Sequence, residues 1–152
     1  MNKFGIGQPV PRTEDPRLLQ GRGQYGDDFV LADQTVGYFL RSPHAHAKIL
    51  DINCDRAKQM PGILCILTND DLSEMKLGNF PVVVERQKRD GNTQQAAREG
   101  LARNRVRFVG DPIAFIVAET LNQAKDAAEQ IEINFEILTS ITDLDDFRSQ
   151  GL

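Results

Sequence analysis

Residues 113–118, IAFIVA, form an unbroken apolar run between a Gly-Asp-Pro turn and a helix-start signal. The run is about a third of the length a membrane-crossing helix requires, so its apolar neighbours must lie inside a folded domain. It lacks the alternation of a half-buried strand. That points to a strand apolar on both faces, at the centre of a parallel or sandwiched sheet. Gly110-Asp111-Pro112 supplies the turn before it. After it, Thr120-x-x-Gln123 matches the capping box, in which the hydroxyl takes an orphan N–H and the amide reaches back. Leu121, Ala124, Ala127 and Ala128 then recur at helical spacing, and Ile131, Ile133, Phe135 and Ile137 alternate with Glu and Asn. The C-terminal third therefore predicts strand, helix, strand.

The same order occurs earlier. TVGYFLR at 35–41 reads as a strand that stops at Pro43, which has no N–H to give to a ladder, and AKILDIN at 47–53 reads as a second. DRAKQM at 55–60 predicts a short helix ended by Pro61-Gly62, and ILCIL at 63–67 a buried strand. Thr68 or Asn69 can cap a brief helix through Met75. FPVVVE at 80–85 predicts a strand, RQKRDGNTQQAAREG at 86–100 a polar loop, and RVRFV at 105–109 another strand. Strand–helix–strand thus occurs at 35–67 and 113–137 with an irregular stretch between. This predicts an α+β fold with mixed strand directions rather than a doubly wound sheet.

Residues 1–34, rich in Gly, Pro and Asp, read as an extended arm, with a helical turn opening at Asp15–Pro16. Residues 138–152 lose periodicity and end on RSQGL, which suits a chain cut from something longer. The expected organisation is an arm at 1–34, a domain at 35–137 and a tail or linker at 138–152. At 152 residues the chain has the length of one domain, able to fold without a disulfide or metal.

The net charge of −4 argues against a nucleic-acid partner, which needs a clustered positive field. Arg86, Lys88 and Arg89 are interrupted by Asp90 and read as a solvated loop. No export signal or membrane span is expected, which places the chain in the cytoplasm. Cys54 and Cys65 fit that setting as small packing residues, and two cysteines fall short of the four ligands of an iron–sulfur cluster.

Few residues invite a chemical role. GRGQYG at 21–26 has the spacing G-x-G-x-x-G, yet no strand precedes it and no helix face follows, so it reads as turns. His44 and His46 share a strand face if the strand begins early enough, and a metal site would need a further ligand. Asp51 and Cys54 are near in sequence, but nothing fixes them on that face. Beside Pro43, the two histidines read as a structural corner, with contact to a partner domain or a metal or acid–base role as the alternatives. Asp27-Asp28, Asp70-Asp71 and Asp145-Asp146 are adjacent acids that suit turns and helix starts, since catalytic carboxylates converge from separate segments. Ser42 precedes a proline and lacks the G-x-S-x-G elbow. No catalytic, cofactor-binding or metal residue is assigned.

Taken in order, these stretches carry a resemblance. G-x-x-V-x-R-x-E-D-x-R-L-L-x-G-x-G-x-Y runs from Gly7 to Tyr25, followed by Asp27-Asp28. FLRSPHAHAKI at 39–49, Ala57 through Pro61-Gly62-Ile63, VRFVGDPIAFIVAET from Val106 to Thr120, and AKDAAEQIEINFE at 124–136 complete it. This series resembles the N-terminal a/b hammerhead domain of the molybdenum-binding large subunit of the xanthine dehydrogenase and aldehyde oxidase family. The arm looks most like the aerobic carbon monoxide dehydrogenase branch. Where that family continues Y-E-P-L-P, this chain has Phe135-Glu136-Ile137-Leu138-Thr139, without either proline.

The resemblance implies an a/b hammerhead that packs against larger domains carrying a molybdopterin cytosine dinucleotide with molybdenum. It further implies iron–sulfur and FAD-binding partner subunits. The family's catalytic groups lie in later domains, so none is carried onto these residues. The expected function is a scaffold, not catalytic alone. The alternative is a stand-alone binding or assembly module of the same fold without redox chemistry. Apolar surface left by absent neighbours would give weak self-association.

Overall fold

The computed structural model describes residues 7, 11–81, 86, 87, 91–94, 98–143 and 145. The chain divides into two compact units, Met1–Gln34 and Thr35–Leu152. In the first unit, helix α1 (Asp15–Leu19) starts after Glu14, and a 3-10 turn covers Gly26–Asp28. Asp15 lies inside the helix rather than capping it, and its carboxylate pairs with Arg12 Nε at 3.0 Å.

The second unit contains β1 (Val36–Arg41), β2 (Ala47–Asn53), α2 (Asp55–Lys58), β3 (Ile63–Leu67) and α3 (Asn69–Glu74). A small hairpin of β4 (Arg86–Gln87) and β5 (Thr93–Gln94) follows, then β6 (Arg105–Val106), β7 (Pro112–Ala118), α4 (Leu121–Glu129) and β8 (Glu132–Ile137). One sheet has the order β1-β7-β3 and the other β6-β2-β8. The α+β class stands, but the mixed strand directions do not: each pairing among the described residues is antiparallel. The reason is that both strand–helix–strand units change sheets. β2 and β3 lie in different sheets, as do β7 and β8, so neither helix returns its chain to a parallel neighbour.

β7 is central in its sheet, as its apolarity demands, though between antiparallel neighbours. Ala114, Ile116 and Ala118 are fully buried and pack with Ala57 of α2 and with Ala124, Ala127 and Ala128 of α4. Methyl groups on both sides allow the helices to approach the sheet closely. Ile113 points the other way, into a second cluster with Ala47, Ala102 and Val106. Ile52 and Ile133 of the second sheet touch both clusters and join them into one interior.

The entry to α4 is pinned twice. Thr120 Oγ1 accepts the Gln123 N–H at 3.3 Å, and the hydroxyl donates to Gln123 Oε1 at 2.7 Å. The expected box is therefore half formed, because the Gln123 amide engages the hydroxyl instead of the Thr120 backbone. Gly62, at φ +79°, accepts the Glu119 N–H at 2.9 Å, and a Cβ there would overlap the Gln123 amide.

Several expectations change. β3 is an edge strand, with Leu64 and Cys65 exposed beside a register shift, rather than a buried one. The strand at 105–109 ends at Val106, because the Arg107 N–H goes to Asp111 Oδ2 at 3.0 Å. Leu121 and Ile137 are exposed at the ends of their elements. The loop expected over 86–100 holds the β4–β5 hairpin, and most of the strand expected at 80–85 lies outside the described residues. Among the described residues no helix is long and apolar enough to cross a membrane.

Overfilling the α4–β7 contact tests this packing. Ala127→Leu is expected to lower stability by about 1–3 kcal/mol, read as a fall in the urea midpoint. An unchanged midpoint would show that the helix does not sit tightly on the sheet.

Candidate functional site

The segment 42–46 carries the chain from one sheet to the other, and its side chains are committed to that passage. Ser42 is buried, its N–H donates to Asp111 O at 2.9 Å, and its carbonyl accepts the Gly110 N–H at 2.8 Å. Its hydroxyl donates to His44 O at 2.9 Å and faces the His44 N–H at 3.0 Å, so it is not poised as a nucleophile. The His44 ring meets Phe135 edge-on at 4.9 Å. His46 Nδ1–H donates to Thr139 O at 2.8 Å, while His46 O accepts the Leu138 N–H at 3.0 Å. That carbonyl partner places the ring proton on Nδ1. The histidines thus serve different contacts: His44 packs on β8, and His46 clasps the chain where it leaves β8.

Two of the acids singled out in the sequence, Asp28 and Asp71, bond to nearby backbone. Asp28 Oδ2 accepts the Tyr25 N–H at 2.8 Å, and Asp143 Oδ1 accepts the Asp145 N–H at 2.9 Å; Asp146 lies outside the described residues. Asp71 closes the start of α3, taking the Thr68 N–H at 2.6 Å and the Thr68 hydroxyl at 2.7 Å on one oxygen. Burial pushes the Asp71 carboxyl up, but the Thr68 hydroxyl, the Thr68 N–H and the Lys58 charge together hold it below the usual carboxylate range. Cys54, Asp51, Lys58 and Asp71 line one cleft. Burial raises the Cys54 thiol, outweighing the opposing Lys58 charge, and the side chain packs in the first core cluster.

A neighbouring cleft ends on Asn69, whose buried amide donates to Leu101 O at 2.6 Å and accepts from Arg103 Nε at 2.6 Å. Among the described residues no buried side-chain polar atom lacks a partner, and no three His, Cys, Asp or Glu side chains group as a metal site. GRGQYG holds turns and the start of the 3-10 segment, with no helix aimed at a phosphate.

The feature that sequence reasoning missed is a groove of about 560 Å³ beside the Ser42 corner. Phe39, Phe80 and Phe108 supply aromatic lining, and the charged lining is four arginines, Arg41, Arg98, Arg105 and Arg107, against Glu99 and Asp111. Three backbone contacts draw these distant segments together. Phe80 N–H donates to Arg98 O at 2.8 Å, Ala102 N–H to Pro112 O at 2.7 Å, and Ser42 N–H to Asp111 O at 2.9 Å. The R-x-R-F spacing of 105–108 was the available signal. Its meaning depends on Arg98 and Phe80, which the sequence alone does not bring near.

Residues 20–139 match the family described as aldehyde oxidase and xanthine dehydrogenase, a/b hammerhead domain. The chain is 37% identical over 138 residues to the nicotine 6-hydroxylase large subunit of Paenarthrobacter nicotinovorans. It is 37% identical over 139 residues to the carbon monoxide dehydrogenase large chain of Afipia carboxidovorans. Each alignment covers 91% of this chain and 16% of the relative. The solved quinoline 2-oxidoreductase of Pseudomonas putida superposes with a TM-score of 0.80 at 35% identity, covering 95% of this chain and 18% of that one.

Two measurements check the corner and the cap. His46→Ala is expected to speed amide exchange at Leu138 and to cost about 1 kcal/mol; unchanged exchange would mean the clasp is not holding. For Asp71 the folded pKa is depressed, so its stabilisation is full above the unfolded carboxylate pKa and is lost as pH falls through the folded value. Asp71→Asn should therefore cost about 1 kcal/mol at neutral pH, with the gap to the parent chain closing in acid. A gap independent of pH would remove the charge from the account.

Proposed function

Because the chain belongs to the aldehyde oxidase and xanthine dehydrogenase a/b hammerhead family, we propose that it frames a molybdenum hydroxylase large subunit without performing its chemistry. Coverage carries this reading: nearly all of the chain aligns, yet it spans about 16% of the curated relatives it matches. The site chemistry agrees. Ser42, His46 and Asp71 are engaged in a turn, the exit clasp and a helix start. The described residues offer no ligand set that fits a molybdenum ion, so no step of the reaction is routed through them.

In the whole enzyme a molybdopterin cytosine dinucleotide held by other domains supplies the metal. Iron–sulfur and FAD-binding subunits carry electrons away. Residues 1–34 serve as an arm, 35–137 as the hammerhead body, and 138–152 as the lead toward a molybdopterin domain. A cytoplasmic setting accords with Cys54 and Cys65, both unbridged. Exposed apolar side chains such as Leu64 and Phe80 give weak self-association when their neighbours are missing.

The second reading, an assembly module without redox chemistry, is favoured by one departure from the family pattern. Ile137 and Thr139 stand where prolines would stiffen the exit from β8. Capture from source cells with an antibody to this chain separates the two. The expected sample is a large polypeptide containing molybdenum with two co-purifying subunits. A free 152-residue species without molybdenum would overturn the framing role and leave the module.

A further inference from the structure

We propose that the groove lined by Phe39, Phe80, Phe108, Arg98, Arg105 and Arg107 is a docking site for an acidic segment of another polypeptide. This uses only the groove's own residues and holds whether or not the chain frames a molybdenum enzyme. The chain as a whole is acidic, so three arginines around one groove stand against its average. Two carboxylates, Glu99 and Asp111, also line the groove, but neither forms an ion pair with these three arginines. Glu99 lies 3.7 Å from Arg103, and the Asp111 carboxylate accepts the Arg107 backbone N–H at 3.0 Å. Among the described residues, the side chains of Arg98, Arg105 and Arg107 have no carboxylate within ion-pair distance. A fourth arginine, Arg41, is held in place by its bond to Gly110 O at 2.9 Å and its position 5.5 Å over the Phe39 ring.

The rim chooses between two anionic occupants. Arginine binds carboxylate and phosphate alike, and many phosphate sites add free backbone N–H groups, as in nests and helix starts. Here the N–H groups of Arg107, Gly110 and Asp111 are already spent on Asp111 Oδ2, Ser42 O and Phe108 O. The apolar lining instead leaves Phe39 at 41%, Phe80 at 59% and Phe108 at 51% exposure. Exposed aromatics interleaved with arginine are the composition of protein-binding hot spots. An occupant carrying carboxylates beside apolar side chains satisfies both parts of the groove at once.

The test uses the 152-residue chain and a short fluorescein-labelled peptide alternating glutamate with leucine, read by fluorescence anisotropy. Saturable binding that weakens with salt is expected. Each of Arg98→Gln, Arg105→Gln and Arg107→Gln should lower affinity about threefold, and the triple variant should abolish binding. Phe108→Ser should also weaken it, while a peptide with lysine in place of glutamate should not bind. These side chains are exposed, so unchanged circular dichroism confirms that each variant is folded. Absence of saturable binding, or binding that survives the triple variant, overturns the proposal. It is equally overturned if Phe108→Ser leaves affinity unchanged, or if inorganic pyrophosphate binds more tightly with the same arginine dependence; the groove would then be a small-anion site.

Discussion

The contact between β7 and the alanine face of α4 is the constraint on which the rest of the second unit depends. The strand, paired on both edges, packs Ala114, Ile116 and Ala118 with the small residues Ala124 and Ala127 of the helix, all fully buried. The strand's two ends then fix everything else. At its start, Pro112 O and Asp111 O take the N–H groups of Ala102 and Ser42, which places the 98–111 loop and the corner after β1. At its end, Glu119 and Thr120 set the direction of α4, and through α4 the position of β8. Glycine assists on the far face: the Phe115 ring lies where a Cβ of Gly37 would stand, and packs 4.7 Å from Phe39. Groove, corner and exit are therefore consequences of one well-filled seam.

Local chemistry made much of this legible. β2 falls on its expected residues because Pro43 and the helix at Asp55 bound an apolar stretch of strand length. Thr68 and Thr120 mark helix starts for the same physical reason, an orphan N–H and a nearby hydroxyl. What failed depended on neighbours. ILCIL is apolar enough to be buried, yet only its β7 side is paired and Leu64 sits in a bulge. RVRFV has strand propensity that a carboxylate four residues on interrupts. The two-residue strands of the hairpin carry no periodicity to read.

The functional surface shows the same division. The local bonds of Ser42, Asp28 and Asp71 were within reach of spacing alone, since each partner lies within a few residues. The His46 clasp could not, because its partner is 93 residues away. Nor could the groove, whose arginines and aromatics come from four stretches of chain. Family resemblance supplied the fold. The surface chemistry came only with the tertiary contacts.

The way each sheet is closed also fixes when it can form. β1 and β3 both pair with β7, and β2 finds its long partner only in β8, with Asn53 opposite Glu132. On a ribosome β1, β2 and β3 emerge first and wait, their apolar faces uncovered, until residues 112–137 have been made. Neither sheet can be completed until those residues arrive, so closure rests on contacts distant in sequence. Strand order alone thus sets an interval in which the early strands are open to premature pairing.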